Sequence, residues 1–226
     1  MTPSLQKTAV IPPKRLLAEY RKGHFPMAES RDDEHVYWLD PEWRGVLPLN
    51  AFNTPKRLMR TMRTSKMTVT IDRAFDKVIC ACAAAARQRT NTWINGLIER
   101  SYINLFAQGH AHSVEVWSEE ALVGGLYGVS IGGAFFGESM FSRQTDASKI
   151  ALVHLVVRLT LGGYKLLDTQ FITDHLKQFG AVEIQRDSYK KLLMSCVDLH
   201  TNFYELGGTG DVLAAGAVLQ LTTQTS

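Results

Sequence analysis

The order of the sequence patterns predicts an α+β fold whose sheet is largely antiparallel, and three observations carry that prediction. Apolar residues recur at helical spacing through residues 75–108. Three strand-like segments separated by two-residue turns follow at once, between 112 and 141. An almost wholly apolar helix, a strand and further helices then close the unit. Strands joined by tight turns pair antiparallel, whereas parallel neighbours need a long crossover, so the middle of the chain reads as a meander.

Each element has a local reason. Residues 14–22 (KRLLAEYRK) suit a short helix that Gly23 stops, and VYWLDPEWRG (36–45) reads as a strand running into a proline turn. The first 48 residues are expected to form a small aromatic, loop-rich unit, with residues 49–207 as the main domain and 208–226 unassigned. MTVTI (67–71) alternates like a strand, and Asp72 is the expected N-cap of a helix carrying Phe75, Val78, Ile79, Cys82 and Ala86 inward. A second helix covers about 95–108 and ends at Gly109. Strands 112–117, 121–131 and 134–141 turn at Glu119-Glu120 and Gly132-Gly133. The helix over 146–161 has no polar face and should be deeply buried. KLLDTQF (165–171) is a buried strand, followed by short helices over 173–179 and 187–197.

Bulk properties exclude several classes. The longest apolar run, Ile150–Leu161, carries His154 and Arg158 and falls short of the roughly 18 residues of a membrane span. The N-terminus has no apolar signal-peptide core, so a cytoplasmic location is expected. Cys80, Cys82 and Cys196 are too few and odd in number for a disulfide framework. Cys80 and Cys82 on one helix diverge, and His110 and His112 lack partners at ligand spacing, so no metal is expected. There is no P-loop, GxGxxG or GxSxG, which leaves nucleotide cofactors without support. The net charge is only +3, yet Lys56, Arg57, Arg60, Arg63 and Lys66 stand together with no acid among them. That run is either a solvated helix face or a phosphate-contacting stripe.

Two stretches could carry chemistry. In the first, Gly124, Gly125, Gly128, Gly132, Gly133 and Gly137 crowd a sheet-like region, as tight hairpins or as a place where another chain or a ligand meets the backbone. Glu138 ends it as an isolated acid between Phe135-Phe136 and Met140-Phe141. It faces either solvent or a cleft, and in a cleft it would bind a cation or hold a proton. In the second, Asp168 and Gln170 end an apolar strand two residues apart, hence on one side, and Thr173 or Asp174 caps the next helix.

GGLYGVSIGGAFFGESMFSR with ASK, and LLDTQFITDHLKQFGAVEIQRDSY, resemble the leucyl/phenylalanyl-tRNA protein transferase family. So do GHAHSVEVW (109–117), Trp93-Ile94, YRKGHFPM (20–27) and YWLDPEWRGVLPL (37–49), a likeness that spans about residues 15–195. The ends depart from the family pattern, ahead of Leu16 and after Gly207. The element order is also similar to the acyl-CoA N-acyltransferase fold, with a small N-terminal domain in front. The resemblance implies transfer of Leu or Phe, and less well Met, from charged tRNA to proteins with N-terminal Arg or Lys, marking them for degradation. It implies no cofactor and no membrane, and a monomer is expected. On the matching positions, Leu126, Phe135, Met140, Leu155 and Leu167 would hold the aminoacyl side chain. Trp38, Trp93 and Tyr102 would hold the terminal adenosine, and Lys56, Arg57, Arg60 and Arg63 would meet tRNA phosphates. Asp168, Gln170 and Glu138 would face the reacting groups. The proton would leave through Asp168 and Gln170 or through the tRNA's own hydroxyl, with Glu138 supporting Gln170 or pairing with the acceptor's basic side chain. An acyl-CoA-dependent N-acyltransferase is the alternative, although FSRQTDASK lacks the glycines of a pyrophosphate loop. A non-catalytic tRNA-binding protein is the other.

Overall fold

The computed structural model describes residues 10–84 and 92–221. Helix α1 (Pro13–Arg21) opens the chain with proline in its first turn, where the missing N–H costs nothing. It leads through Gly23 to a small two-stranded sheet of β1 (Phe25–Met27) and β2 (Tyr37–Leu39). β3 (Trp43–Val46) leaves that unit and joins the main sheet, although its residues lie ahead of position 48. Next come α2 (Lys56–Thr64), β4 (Thr68–Ile71), α3 (Phe75–Ala83) and α4 (Gly96–Ala107). Ala86 lies outside the described residues.

The meander follows as β5 (Ala111–Ser118), β6 (Ala121–Ile131) and β7 (Ala134–Ser142), antiparallel throughout. α5 (Ala147–Leu161) crosses over to β8 (Leu166–Gln170), which runs parallel to β7. α6 (Asp174–Lys177), β9 (Val182–Gln185), α7 (Arg186–Cys196) and a short β10 (Leu213–Ala214) complete the chain. The main sheet has the order β10-β4-β5-β6-β7-β8-β3-β9, and β7–β8 is its one parallel pair among the described residues. The expected α+β class and mainly antiparallel sheet are therefore present. No helix of the described residues is long and apolar enough to cross a membrane.

Two apolar cores lie on opposite faces of the sheet. One is built around α5 with Leu126, Phe135 and Leu167, and the other around α1, α3 and α4 with Tyr20, Tyr102, Tyr127 and Phe136. α5 is buried on nearly every side, as its composition requires, including His154 and Arg158. Burial presses the His154 pKa down to about 4, and its Nε2–H bonds to the Ala215 carbonyl at 3.0 Å. Arg158 donates to the carbonyls of Phe203 and Gly207. These bonds tie the C-terminal segment to α5 and put Ala215, Val218 and Leu219 in the core, where sequence patterns had left the tail unassigned.

Two local expectations need correction. Asp72 is not a helix cap; α3 starts at Phe75, and its N-cap residue is Ala74, without any side-chain cap bond. Asp72 instead adopts φ 54° and receives the Ser113 N–H, the Tyr204 hydroxyl and His112 Nδ1, each at 2.7 Å. The glycines of β6 serve the chain's own packing. A Cβ on Gly124 would lie 2.5 Å from that of Ala147 in α5, and one on Gly128 would lie 2.3 Å from the Phe136 carbonyl oxygen.

Candidate functional site

β7 and β8 pair only from Ala134–Phe136 against Leu166–Asp168. Beyond that they separate, and a cavity of about 580 Å³ occupies the gap. Leu126, Met140, Leu152, Leu155, Leu167 and Leu176 line it from the α5 side. Phe25, Met27, Trp93 and Tyr127 line it from the other face, and Phe171, 47% exposed, stands on the same wall. A split between parallel strands thus joins the two faces, with an apolar chamber on one and an aromatic chamber on the other.

Glu138 and Gln170 line the cavity from the two separating strands. Glu138 is 8% exposed, and its Oε1 accepts the Tyr20 hydroxyl at 2.7 Å and Gln170 Nε2–H at 3.1 Å. Its Oε2 accepts the Tyr102 hydroxyl at 3.2 Å; the two tyrosine hydroxyls are also in contact, but each has one proton, so while both donate to Glu138 neither donates to the other. Burial pushes the Glu138 carboxyl up to about 8, with help from Asp168, against the tyrosine hydrogen bonds and Arg44. Burial also drives both tyrosines well above their usual range, followed by the Glu138 charge, so each remains a neutral donor. An acid that ionises near neutrality, faces an apolar cavity and is held by three donors can take up a proton there.

Asp168 does not face the cavity. It is fully buried, and Arg44 Nε and Nη2 donate to it in a fork at 2.9 and 2.7 Å. The Tyr189 hydroxyl donates at 2.5 Å and the Gln170 N–H at 2.8 Å. These bonds fill the lone pairs of both oxygens, so Asp168 is sealed from substrate, contrary to the role expected for it. Gln170 has φ 55°, and the Phe171 N–H bonds back to the Thr169 carbonyl at 2.7 Å, closing a γ-turn around it. A non-glycine residue held in that region costs about 1–3 kcal/mol, which its surroundings must offset.

The other expected site residues divide. Leu126, Met140, Leu155, Leu167 and Trp93 line the cavity. Phe135 does not; it is buried in the core, stacked on Phe203 at 5.7 Å and edge-on to Tyr164. Tyr102 is fully buried, so it has no open face for stacking and acts as a donor to Glu138. Trp38 is half-buried against the N-terminal core and beside Arg15, and is not among the lining residues. Lys56, Arg57, Arg60 and Arg63 are exposed on α2 while Leu58 and Met62 face inward, and none of the four has a carboxylate partner among the described residues. Residues that sequence reasoning missed are Tyr20, Phe25, Met27 and Phe171 beside the cavity, and Arg44 and Tyr189 behind it. The phrases YRKGHFPM and YWLDPEWRG contain four of them, without any local sign of their distant partners.

Among the described residues no group of three or more His, Cys, Asp or Glu is arranged to hold a metal. Cys80 is exposed and Cys82 buried, and His112 is engaged by Asp72.

Comparison with known proteins shows the family. The family model described as leucyl/phenylalanyl-tRNA protein transferase matches residues 46–194, and the model of that family's N-terminal domain matches residues 10–42. A leucyl/phenylalanyl-tRNA–protein transferase of Caulobacter vibrioides (strain NA1000 / CB15N) is 57% identical over 197 residues, covering 86% of this chain and 91% of its own. Proteins of the same name from Paramagnetospirillum magneticum and Phenylobacterium zucineum are 58% and 54% identical. They cover 79% and 93% of this chain and 85% and 96% of their own lengths. The chain, with its split sheet and its buried acid, belongs to the leucyl/phenylalanyl-tRNA protein transferase family.

Proposed function

We propose that this enzyme transfers Leu or Phe, and less readily Met, from charged tRNA to proteins whose N-terminal residue is Arg or Lys, in the cytoplasm, and so marks them for degradation. The observation that carries the reading is Glu138, with its carboxyl at about 8, beside an apolar chamber at the split of β7 and β8. The α-amine of an acceptor has a free pKa of about 7.7–8.0, so proton exchange between the two groups is nearly balanced at neutral pH. As the amine nitrogen bonds to the aminoacyl carbonyl carbon, the ester bond to the ribose oxygen breaks. Glu138 takes the proton that the nitrogen loses and passes it to the departing ribose oxygen, so the carboxylate is regenerated. The ester is already activated, so the protein's task is to orient both partners and keep water away.

The chamber formed by Leu126, Met140, Leu155 and Leu167 would take the aminoacyl side chain. Trp93 and Phe171 on the opposite wall would flank the terminal adenosine. The basic face of α2 would meet tRNA phosphates. The splayed parallel pair and the crossover helix between its strands also support an acyl-CoA N-acyltransferase-like architecture for the main domain, by analogy of form.

The test is transfer of radiolabelled amino acids from matched charged tRNAs to peptides that differ in their first residue. Leu and Phe should be used well, Met less well, and Val and Ile poorly. Branching at Cβ stiffens χ1 and crowds a narrow entrance, which in a hydrophobic pocket is worth about 1–3 kcal/mol. Equal use of Ile and Leu, or indifference to the acceptor's first residue, refutes the assignment. Charge reversal at Arg60 should reduce the log–log salt slope of tRNA binding by about one unit or slightly less.

A further inference from the structure

We infer that Arg44 is a positioning residue for the transfer reaction, acting through Asp168 to hold the Gln170 carboxamide against Glu138. The inference rests on the reading of Glu138 and Gln170 as the reacting end of the cavity, and gives a role to the DPEWRG segment. Arg44 lies on β3, which pairs with the last residues of β8: Val46 stands opposite Asp168 and Gly45 opposite Gln170, with an irregularity between them. The guanidinium is 1% exposed, sandwiched between the rings of Phe25 at 4.4 Å and Tyr189 at 4.5 Å. Nε and Nη2 grip Asp168, and Nη1 donates to the Gly23 carbonyl at 2.8 Å.

The chain of contacts then runs in one direction. Asp168 Oδ1 receives the backbone N–H of Gln170, the residue whose positive φ turns the strand end toward β7. The Gln170 side chain, aimed by that turn, donates to Glu138 Oε1. Gly45 completes the clamp, because a Cβ there would lie 2.8 Å from Thr169 Oγ1 and 2.9 Å from the Phe171 carbonyl carbon. Only a glycine lets β3 come this close to the γ-turn. Lysine could supply charge at position 44 but not the planar fork that fixes the carboxylate's orientation.

A displaced Gln170 removes a donor from Glu138, and loss of a hydrogen bond to the charged form raises the pKa of a carboxyl. The charged and titratable groups around Glu138 are Tyr20 from α1, Tyr102 from α4, Tyr127 from β6, Asp168 from β8 and Arg44 from β3. The effect of Arg44 should therefore appear in the pH profile as well as in the rate.

The experiment compares Arg44→Lys, Tyr189→Phe and Glu138→Gln with wild type, using single- and multiple-turnover transfer from Leu-tRNA to a peptide beginning with Arg. Arg44→Lys should lower kcat by up to about 100-fold, the loss typical of a small misplacement near the chemistry, with KM for charged tRNA near wild type. The acidic limb of its kcat/KM profile should move upward by about one pH unit. Tyr189→Phe keeps the ring beside Arg44 and loses one bond to Asp168, so it should shift the limb the same way by less, and it decides the matter if Arg44→Lys does not fold. Variants that melt lower yet retain the wild-type limb and kcat would make Arg44 a core brace only, and overturn the inference. Full activity in Glu138→Gln would overturn the underlying reading of the site instead, whatever the Arg44 variant does.

Discussion

Glu115 and Glu138 sit on neighbouring regions of one sheet and differ in what surrounds them. Glu115, fully buried on β5, accepts the Ser113 hydroxyl at 2.5 Å, the Thr70 hydroxyl at 2.6 Å and the Ala74 N–H at 3.4 Å. Glu138 on β7 also has three donors, and burial raises both carboxyls above the usual range. Glu115 ties β4, β5 and the start of α3 together, while Glu138 opens onto a cavity of about 580 Å³. Burial and a raised pKa therefore do not distinguish an acid sealed in the sheet from one that opens onto a cavity in this molecule. The distinction comes from strand pairing: at Glu115 β5 is paired on both edges, with Thr70 of β4 and Gly125 of β6, whereas β7 keeps β6 but loses β8 after Phe136, ahead of Glu138.

The largest effect expected from that difference comes from neutralising each acid. Glu138→Gln should cut kcat by about 10²–10⁴-fold, the usual cost of losing a general base, with charged-tRNA affinity nearly intact. Glu115→Gln should leave kcat within about twofold, because its amide still fills the site and nothing reacts there. Stability should show the opposite order of interest. A carboxyl whose folded pKa is raised contributes stability that is complete below its unfolded value and is lost as pH rises through the folded one. For Glu138 that window runs from the ordinary carboxyl value of 4.5 to about 8. Thermal melts of Glu138→Gln at pH 8 should thus equal or exceed wild type while transfer collapses. A Glu115→Gln variant that lost activity as steeply as Glu138→Gln, at unchanged stability, would erase the comparison.

A sharper measure is the slope of log kcat/KM against pH. Wild type needs both the acceptor amine and Glu138 deprotonated, so the slope should approach about two well below pH 8 and fall to about one in Glu138→Gln. A slope of one in both proteins would mean that Glu138 does not carry the proton.

The difference between these two regions was only partly legible in the sequence. Periodicity located the helices, since α3 and α4 bury one face at helical spacing, and two-residue turns located the meander, whose strands β5 and β6 are buried on both faces for much of their length. The glycine-rich stretch and the strand end drew attention to Glu138 and Gln170, which both line the cavity. What sequence could not supply were contacts across long separations. Arg44 meets Asp168 across 124 positions and Tyr20 meets Glu138 across 118, and no local pattern encodes either. Asp168 was therefore expected at the reacting centre, where strand alternation with Gln170 would place it. Its actual partner arrives on β3, a strand that crosses from the N-terminal segment into the sheet between β8 and β9. The same lack of information hid the tail, whose two-residue strand β10 has too short a pattern to recognise.

The smallest effect expected separates the two tyrosines that hold Glu138. Both hydroxyls donate to it, but Tyr20 does so at 2.7 Å and Tyr102 at 3.2 Å. Both bonds favour the ionised carboxylate, so losing either should raise its pKa and move the acidic limb of the transfer profile upward. The shorter bond is the stronger, and its removal should shift the limb by about one unit, a factor of ten in rate well below the pKa. Tyr102→Phe should shift it by a fraction of that, since Tyr20 and Gln170 still serve the other oxygen. Neither variant should alter the rate much at about pH 10, where the carboxyl is ionised in all three proteins. That recovery distinguishes a tuned base from a damaged core, which would lose activity at every pH. Equal shifts for the two variants would mean that the contact between the hydroxyls spreads either loss over the whole cluster. A larger shift for Tyr102→Phe would mean that Oε2, the oxygen with one donor, is the one that takes the proton.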